Sequence, residues 1–160
     1  MPDVLGAAKS EAVQIQRDYY AKAAVAYDQV HLHEGGEHSF ALTFMLSTLE
    51  SLEIQSILDI GSGTGRALLE IKRDMPGIAA VGIEPSPELR SVGHSKGLSE
   101  AELIDGDAMN LGFGDGSFDL VCEFAALHHI PVPSKAVSEM LRVSRKAIFI
   151  SDSNNFGQGS

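Results

Sequence analysis

From Ser56 onward, short apolar runs alternate with longer stretches of helical periodicity, and no other feature of the chain constrains its fold as tightly. The runs are Ile57–Ile60, Ala79–Ile83, Glu102–Ile104, Phe118–Phe124 and Ala147–Ile150. Short apolar runs bounded by turn residues read as strands, and strands separated by helices build a parallel sheet. Between them, Thr64–Asp74 places Ala67, Leu68, Ile71 and Met75 on one face and stops at Pro76-Gly77. A second helix has Ser86 as N-cap and Pro87 in its first turn, and Gly93 weakens it. A third follows Pro131 and Pro133, with Val137, Met140 and Leu141 as the expected buried stripe. Arg142, Arg145 and Lys146 fall where that helix should end, and cations there complement its dipole. Right-handed crossovers then leave an α/β fold, a doubly wound three-layer α/β/α sandwich. The last run, Ala147–Ile150, is apolar on both faces and is expected to be buried on both.

The N-terminal third reads differently. Gly6 to Val30 is rich in Ala, Gln, Lys and Glu and predicts a helix, whereas His31 to His38 contains Gly35-Gly36 and predicts a loop. A further helix is expected from Ser39, as N-cap, to Leu52, burying either Phe40, Phe44 and Leu52 or Leu42, Met45 and Leu49. At 160 residues and 44% hydrophobic, the chain has material for one core. The expected organisation is a single domain with a helical cap (1–52), an α/β core (53–151) and a tail (152–160). Its 12 Lys+Arg against 22 Asp+Glu give a net charge of −10, the wrong sign for gripping a phosphate backbone, so nucleic acid is not an expected partner. The lone Cys122 cannot form an internal disulfide. No apolar run approaches the ~18 residues a membrane span needs, and no basic-then-apolar leader is present from Met1 to Asp28. The expectation is a soluble, cytoplasmic protein with no membrane partner.

Three strand ends carry the chemistry. Asp59-Ile60-Gly61-Ser62-Gly63-Thr64-Gly65 sits where the first strand meets a helix, and glycines there let backbone N–H groups approach an anionic ligand group. The G-x-G-x-G spacing lacks the later third glycine of the dinucleotide fingerprint, which disfavours a nicotinamide-dependent oxidoreductase. Glu84 ends the second strand about 20 residues on, where a carboxylate can accept from both hydroxyls of a ribose. Asp107, in Gly106-Asp107-Ala108 after the third strand, is placed to accept from an adenine amino group. Together they describe a site for an adenosine with an anionic or zwitterionic appendage.

Taken in order with Leu111–Val121 and Leu127-His128-His129, these segments resemble class I S-adenosylmethionine-dependent methyltransferases. The likeness covers Ser56 to Ser151, and the helices before it look like the N-terminal cap of the same family. It implies a Rossmann-like sheet of order 3-2-1-4-5, S-adenosyl-L-methionine as cofactor, and methyl transfer to an acceptor. The missing Asn/Asp-Pro-Pro-aromatic run after the fourth strand, where Glu123-Phe124-Ala125-Ala126 stands, and the acidic charge favour a small-molecule acceptor. By the same resemblance Gly61, Ser62 and Gly63 face the methionine part, and Asp59 orders the loop and the cofactor's amino group. Glu84 with Pro85 meets the ribose, Asp107 and Ala108 the adenine, and Phe124 the region beside the sulfonium.

The remaining candidates lie around this frame. Tyr19, Tyr20 and Tyr27 are expected lid contacts. His128 or His129 is placed to act as general base on an acceptor hydroxyl or amine. His33 and His38 are five apart with two glycines between, so no metal site is expected. The resemblance implies another helix and an antiparallel strand pair after the fifth strand, where only ten residues remain in this sequence. An edge as apolar as Ala147–Ile150 is expected to be covered by a second copy, by the first two helices or by a continuation of the chain, with a homodimer or exchanged arrangement as the working expectation. A non-catalytic cofactor-binding module is the competing reading, because a fold does not by itself fix a function.

Overall fold

The computed structural model describes residues 37–152. In chain order these form α1 (Glu37–Thr48), β1 (Ser56–Ile60), α2 (Arg66–Asp74), β2 (Ala79–Ile83) and α3 (Pro87–Ser95). Then follow β3 (Leu103–Ile104), β4 (Phe118–Phe124), a single 3-10 turn (Leu127–His129), α4 (Pro133–Val143) and β5 (Ser144–Ser151). The strands form one sheet of order β3-β2-β1-β4-β5, with every neighbouring pair parallel. This is the order the resemblance implies. The first helix, the His31–Gly36 stretch and the tyrosines lie outside the described residues.

Alternation along the strands sorts two cores. Ile57 of β1 and Leu120 and Cys122 of β4 meet α1 and α2 through Leu42, Met45, Leu49, Ala67 and Ile71. Leu58 and Ile60 of β1 and Val121 of β4 face the other side, with Met140 and Val143 of α4. A register irregularity between Phe118 and Leu120 turns Phe118 onto that second side, where its ring meets Phe113 edge-on at 4.9 Å. Each such buried Leu or Ile contributes about 1.5–3 kcal/mol.

Several helix details differ from the sequence reading. α1 starts at Glu37, so Ser39 lies inside it, where its carbonyl accepts from Thr43 Oγ1 (3.1 Å), and His38 is helical. Leu42, Met45 and Leu49 are the buried set, while Phe40 and Phe44 stay exposed. In α4 the buried stripe is Ala136, Met140 and Val143, and Leu141 points outward. Ser144 ends that helix, so of the three cations only Arg142 sits in its last turn, and Arg145 and Lys146 belong to β5. Arg142 ties down the glycine-rich segment before β4, donating to the carbonyls of Phe113 (2.8 Å) and Leu111 (3.0 Å) and pairing with Glu139 and Asp115. The Ser86 cap is as expected, accepting from Leu89 N–H at 3.3 Å.

β5 pairs only with β4 among the described residues. It is not buried on both faces as expected: Ala147, Ile148 and Phe149 are half-buried and Ile150 is exposed, because an edge strand has a neighbour on one side alone. No helix among the described residues is long and apolar enough to cross a membrane.

Candidate active site

The carboxyl ends of β1 to β4 open onto a cleft of about 280 Å³, the crevice in which ligands of open parallel sheets bind. Its walls are Ile60-Gly61, Ile83–Ser86, Asp105–Ala108, Phe124–Ala126 and His129–Pro131, with Leu89 of α3. Seven candidates from the sequence therefore converge there: Gly61, Glu84, Pro85, Asp107, Ala108, Phe124 and His129. Asp59, Ser62, Gly63 and His128 lie behind the wall, and Tyr19 and Tyr27 fall outside the described residues.

Glu84 is the organising group. It is 7% exposed, and its two carboxylate oxygens accept from Gly63 N–H at 3.0 Å and Ser86 N–H at 2.9 Å. Burial pushes its pKa up, and those two N–H bonds and the Arg90 guanidinium pull it back. A carboxylate oxygen has two lone pairs, so each keeps acceptor capacity for a ligand hydroxyl. The glycine turn is consequently less open than its sequence suggested. Ser62 N–H donates to the Ile83 carbonyl (3.0 Å), Gly63 N–H to Glu84, and Gly65 N–H to the Ser62 carbonyl (2.8 Å). Of Gly61, Ser62 and Gly63, only Gly61 reaches the cleft. α2 starts at Arg66 rather than Thr64, since Gly65 takes a left-handed φ of 80°.

Arg90 was not foreseen. It donates to the Glu84 carbonyl and to Asp105 Oδ1 (2.8 Å), pinning the tips of β2 and β3 together. The signal was available: Arg90 stands one helical turn after the Ser86 cap and so faces back toward the strand ends. Asp107 Oδ1 accepts from Met109 N–H (2.8 Å), and its carbonyl from Asn110 N–H (3.0 Å), so this residue builds a turn as well as lining the cleft.

Asp59 is 2% exposed, with Cys122 Sγ at 3.8 Å from its Oδ1. Burial pushes its pKa up to about 7, against the opposing pull of Ser62, Arg66 and Cys122. A buried acid with a raised pKa binds more protons in the native state than in the unfolded chain. Its contribution to stability is therefore full below the ordinary carboxylate range near pH 4 and is lost as pH rises through about 7. Asp59→Asn has no such charge, and the ligand-free variant is expected to melt above the wild type at pH 8 and level with it at pH 5. The scale is about 2–4 °C per kcal/mol. Differential scanning calorimetry at the two pH values checks this, and a variant less stable at pH 8 than at pH 5, relative to wild type, refutes it.

Beyond β4 the wall is held unusually tightly. Ala125 takes a left-handed φ of 61°, which costs a non-glycine residue about 1–2 kcal/mol. Its N–H donates to the Ser151 carbonyl at 2.7 Å. The next two N–H groups, of Ala126 (2.8 Å) and Leu127 (3.3 Å), donate to Oε2 of Glu123, a fully buried carboxyl. Burial also pushes the Glu123 pKa up. His128 N–H donates to Asp152 Oδ2 (2.8 Å), and its ring Nδ1 pairs with Asp152 Oδ1. The His128 and His129 rings lie 3.8 Å apart. Glu123 and Asp152 were missed because their partners are backbone amides in a turn whose shape the sequence does not announce.

The protein is thus a doubly wound parallel sheet with an acid-lined cleft over its strand tips. The family model described as "Methyltransferase domain" matches residues 58–149. The chain belongs to that family, the class I S-adenosylmethionine-dependent methyltransferases. It is 36% identical over 95 residues to norajmaline N-methyltransferase of Rauvolfia serpentina, covering 56% of this chain and 32% of that protein. It is 31% identical over 132 residues to the uncharacterized methyltransferase YcgJ of Bacillus subtilis, covering 79% and 50%. The crystal structure of YcgJ superposes with a TM-score of 0.59 at 32% identity, covering 68% of this chain and 47% of that one. A demethylmenaquinone methyltransferase of Roseiflexus castenholzii is 37% identical over 89 residues, covering 55% and 37%. The chain thus spans a third to a half of the length of these curated relatives.

Proposed function

We propose that this chain binds S-adenosyl-L-methionine in the cleft and serves an enzyme that transfers its methyl group to a small molecule. The observation that carries the reading is Glu84, a buried carboxylate fixed by two backbone N–H groups at the tip of β2 and exposed to the cleft. The residues present suit the ligand. Glu84 supplies acceptors for the ribose hydroxyls, Ile83, Leu89 and Ala108 offer apolar surface to a base, and Asp107 an acceptor at its edge. Gly61 leaves room beside Ala126, since a Cβ there would stand 2.6 Å from Ala126 Cβ. Asp59 and the loop would order the amino-acid end, Phe124 would flank the sulfonium, and His128 or His129 would receive an acceptor proton.

The bound cofactor supplies a methyl group already activated by the positive sulfur. What the protein adds is alignment of acceptor and methyl and exclusion of water, worth about 7–11 kcal/mol when geometry is right. Two of the relatives act, by their names, on norajmaline and on demethylmenaquinone, which supports a metabolite as acceptor. The chain works in the cytoplasm as a homodimer whose second copy covers the apolar β5 edge. Sedimentation equilibrium should give a dimer, and a stable monomer would count against that arrangement. Calorimetric titration tests the function itself: micromolar binding of S-adenosylmethionine with no heat from NAD is expected, and binding of NAD alone overturns the reading.

A further inference from the structure

We propose that Glu123 makes the cleft selective for the sulfonium-bearing cofactor over its neutral demethylated product, as a buried negative charge whose positive partner is the cofactor itself. The inference rests on the S-adenosylmethionine reading and deepens it by naming what the tip of β4 recognises. Glu123 is the penultimate residue of β4, and its side chain is fully buried. Its Oε2 accepts from two consecutive N–H groups, of Ala126 at 2.8 Å and Leu127 at 3.3 Å. Its Oε1 meets no donor at hydrogen-bond geometry, although the Ser151 N–H lies near the carboxyl. A buried acid is costly unless an opposite charge pairs with it. The neighbouring groups have the wrong sign for that: Asp152 at the end of β5 and Asp59 on β1 both oppose a negative charge here, as does the Cys122 thiol on β4 once ionised. His128, the basic group on the adjoining turn, is engaged by Asp152. Among the described residues, no Lys or Arg forms an ion pair with Glu123.

The place of this carboxyl identifies the missing cation. It stands one peptide layer behind the cleft wall, holding the N–H of Ala126, and Phe124, Ala125 and Ala126 all line the cleft. That wall is fixed close to the β1 tip: Ala125 is held at φ 61° with its N–H on the Ser151 carbonyl, and a Cβ on Gly61 would stand 2.6 Å from Ala126 Cβ. With the sulfur beside Phe124, the positive charge of S-adenosylmethionine falls on the cleft side of the wall and Glu123 on the other, with protein rather than water between them. At an effective dielectric of about 20, opposite charges as far as ~10 Å apart still attract enough for roughly tenfold in affinity. Loss of the methyl group leaves the sulfur neutral, so the product forfeits this attraction and leaves more readily.

The test is calorimetric titration of the full chain with S-adenosylmethionine and, separately, S-adenosylhomocysteine, on wild type and Glu123→Gln. The glutamine oxygen can still accept from Ala126 and Leu127, so the wall keeps its anchor and the charge alone is removed. Glu123→Gln should bind S-adenosylmethionine about tenfold more weakly than wild type and S-adenosylhomocysteine within about twofold. Unchanged affinity for both ligands would overturn the proposal, and so would an equal loss for both, which marks a purely structural role. Where Glu123→Gln does not fold, carbon NMR of wild type labelled with 5-13C-glutamate decides, at about pH 5.5, above the ordinary glutamate range. One buried carboxyl resonance should move to the ionised position with S-adenosylmethionine and not with S-adenosylhomocysteine, whereas Glu84, facing the ribose of either, should respond alike to both. Carboxyl resonances that answer the two ligands identically would overturn the proposal. Binding of both ligands with no preference traceable to Glu123 defeats this inference alone, whereas failure of both to bind the wild type defeats the S-adenosylmethionine reading and the inference with it.

Discussion

Glu84→Ala is expected to weaken S-adenosylmethionine binding about 100-fold or more, measured by calorimetric titration. Two effects add. The ribose loses its charged acceptors, and hydrogen bonds to a charged group are worth about 1.5–3 kcal/mol each, so two of them already account for roughly 100-fold. The N–H groups of Gly63 and Ser86 also lose the partner that holds the glycine turn against the β2 tip. Glu84→Gln should fall between, because its amide offers an acceptor to one of these N–H groups and an NH2 donor to the other. Relief of the buried carboxyl's desolvation offsets part of the loss of its two N–H contacts, so both variants should stay folded, with Glu84→Ala melting below the wild type. Affinity within a few-fold of wild type in a folded Glu84→Ala protein would mean that the ribose does not sit there.

Gly61→Ala is expected to damage stability and binding together. A side chain at this position must take φ +67°, at about 1–2 kcal/mol, and its Cβ would meet Ala126 Cβ at 2.6 Å. Ala126 cannot yield easily. Its N–H is bonded to Glu123, and its neighbour Ala125 is already held in a left-handed conformation by the Ser151 carbonyl. Overpacking of this kind costs about 1–3 kcal/mol, so a fall in melting temperature of roughly 5–10 °C should appear, with S-adenosylmethionine affinity lowered about tenfold or more. Gly77→Ala is the control: nothing lies within 4 Å of its Cβ position, and its melt should match the wild type. Equal melts for the two variants would show that the close approach of the β1 and β4 tips is not a constraint.

The sheet was legible because β1, β2 and β4 are apolar runs with turn residues at both ends. The strand ranges Ala79–Ile83 and Phe118–Phe124 coincide with the structure. Helix faces were harder. Phe40 and Phe44 look like core on hydrophobicity, yet Leu42, Met45 and Leu49 point at the sheet, and apolar residues spread around α1 leave no pattern that distinguishes its sides. The start of β5 was misjudged because Arg145 and Lys146 read as a helix end, whereas on an edge strand they reach Asp119. In the site, seven of the residues that line the cleft were readable as motif letters. The groups that hold those letters in place were not: Arg90, Glu123 and Asp152 act on carbonyls, amides and a ring whose positions exist only once the strands are side by side.

The central claim is that the tips of β1, β2 and β3 together grip an adenosyl group, with Glu84 on its sugar. A crystal structure of the protein with S-adenosylhomocysteine tests this most directly. Both ribose hydroxyls should lie about 3 Å from the Glu84 carboxylate, with the base between Ile83 and Ala108 and the sulfur next to Phe124. A nucleoside bound elsewhere, or in this cleft with its sugar turned away from Glu84, would contradict the account.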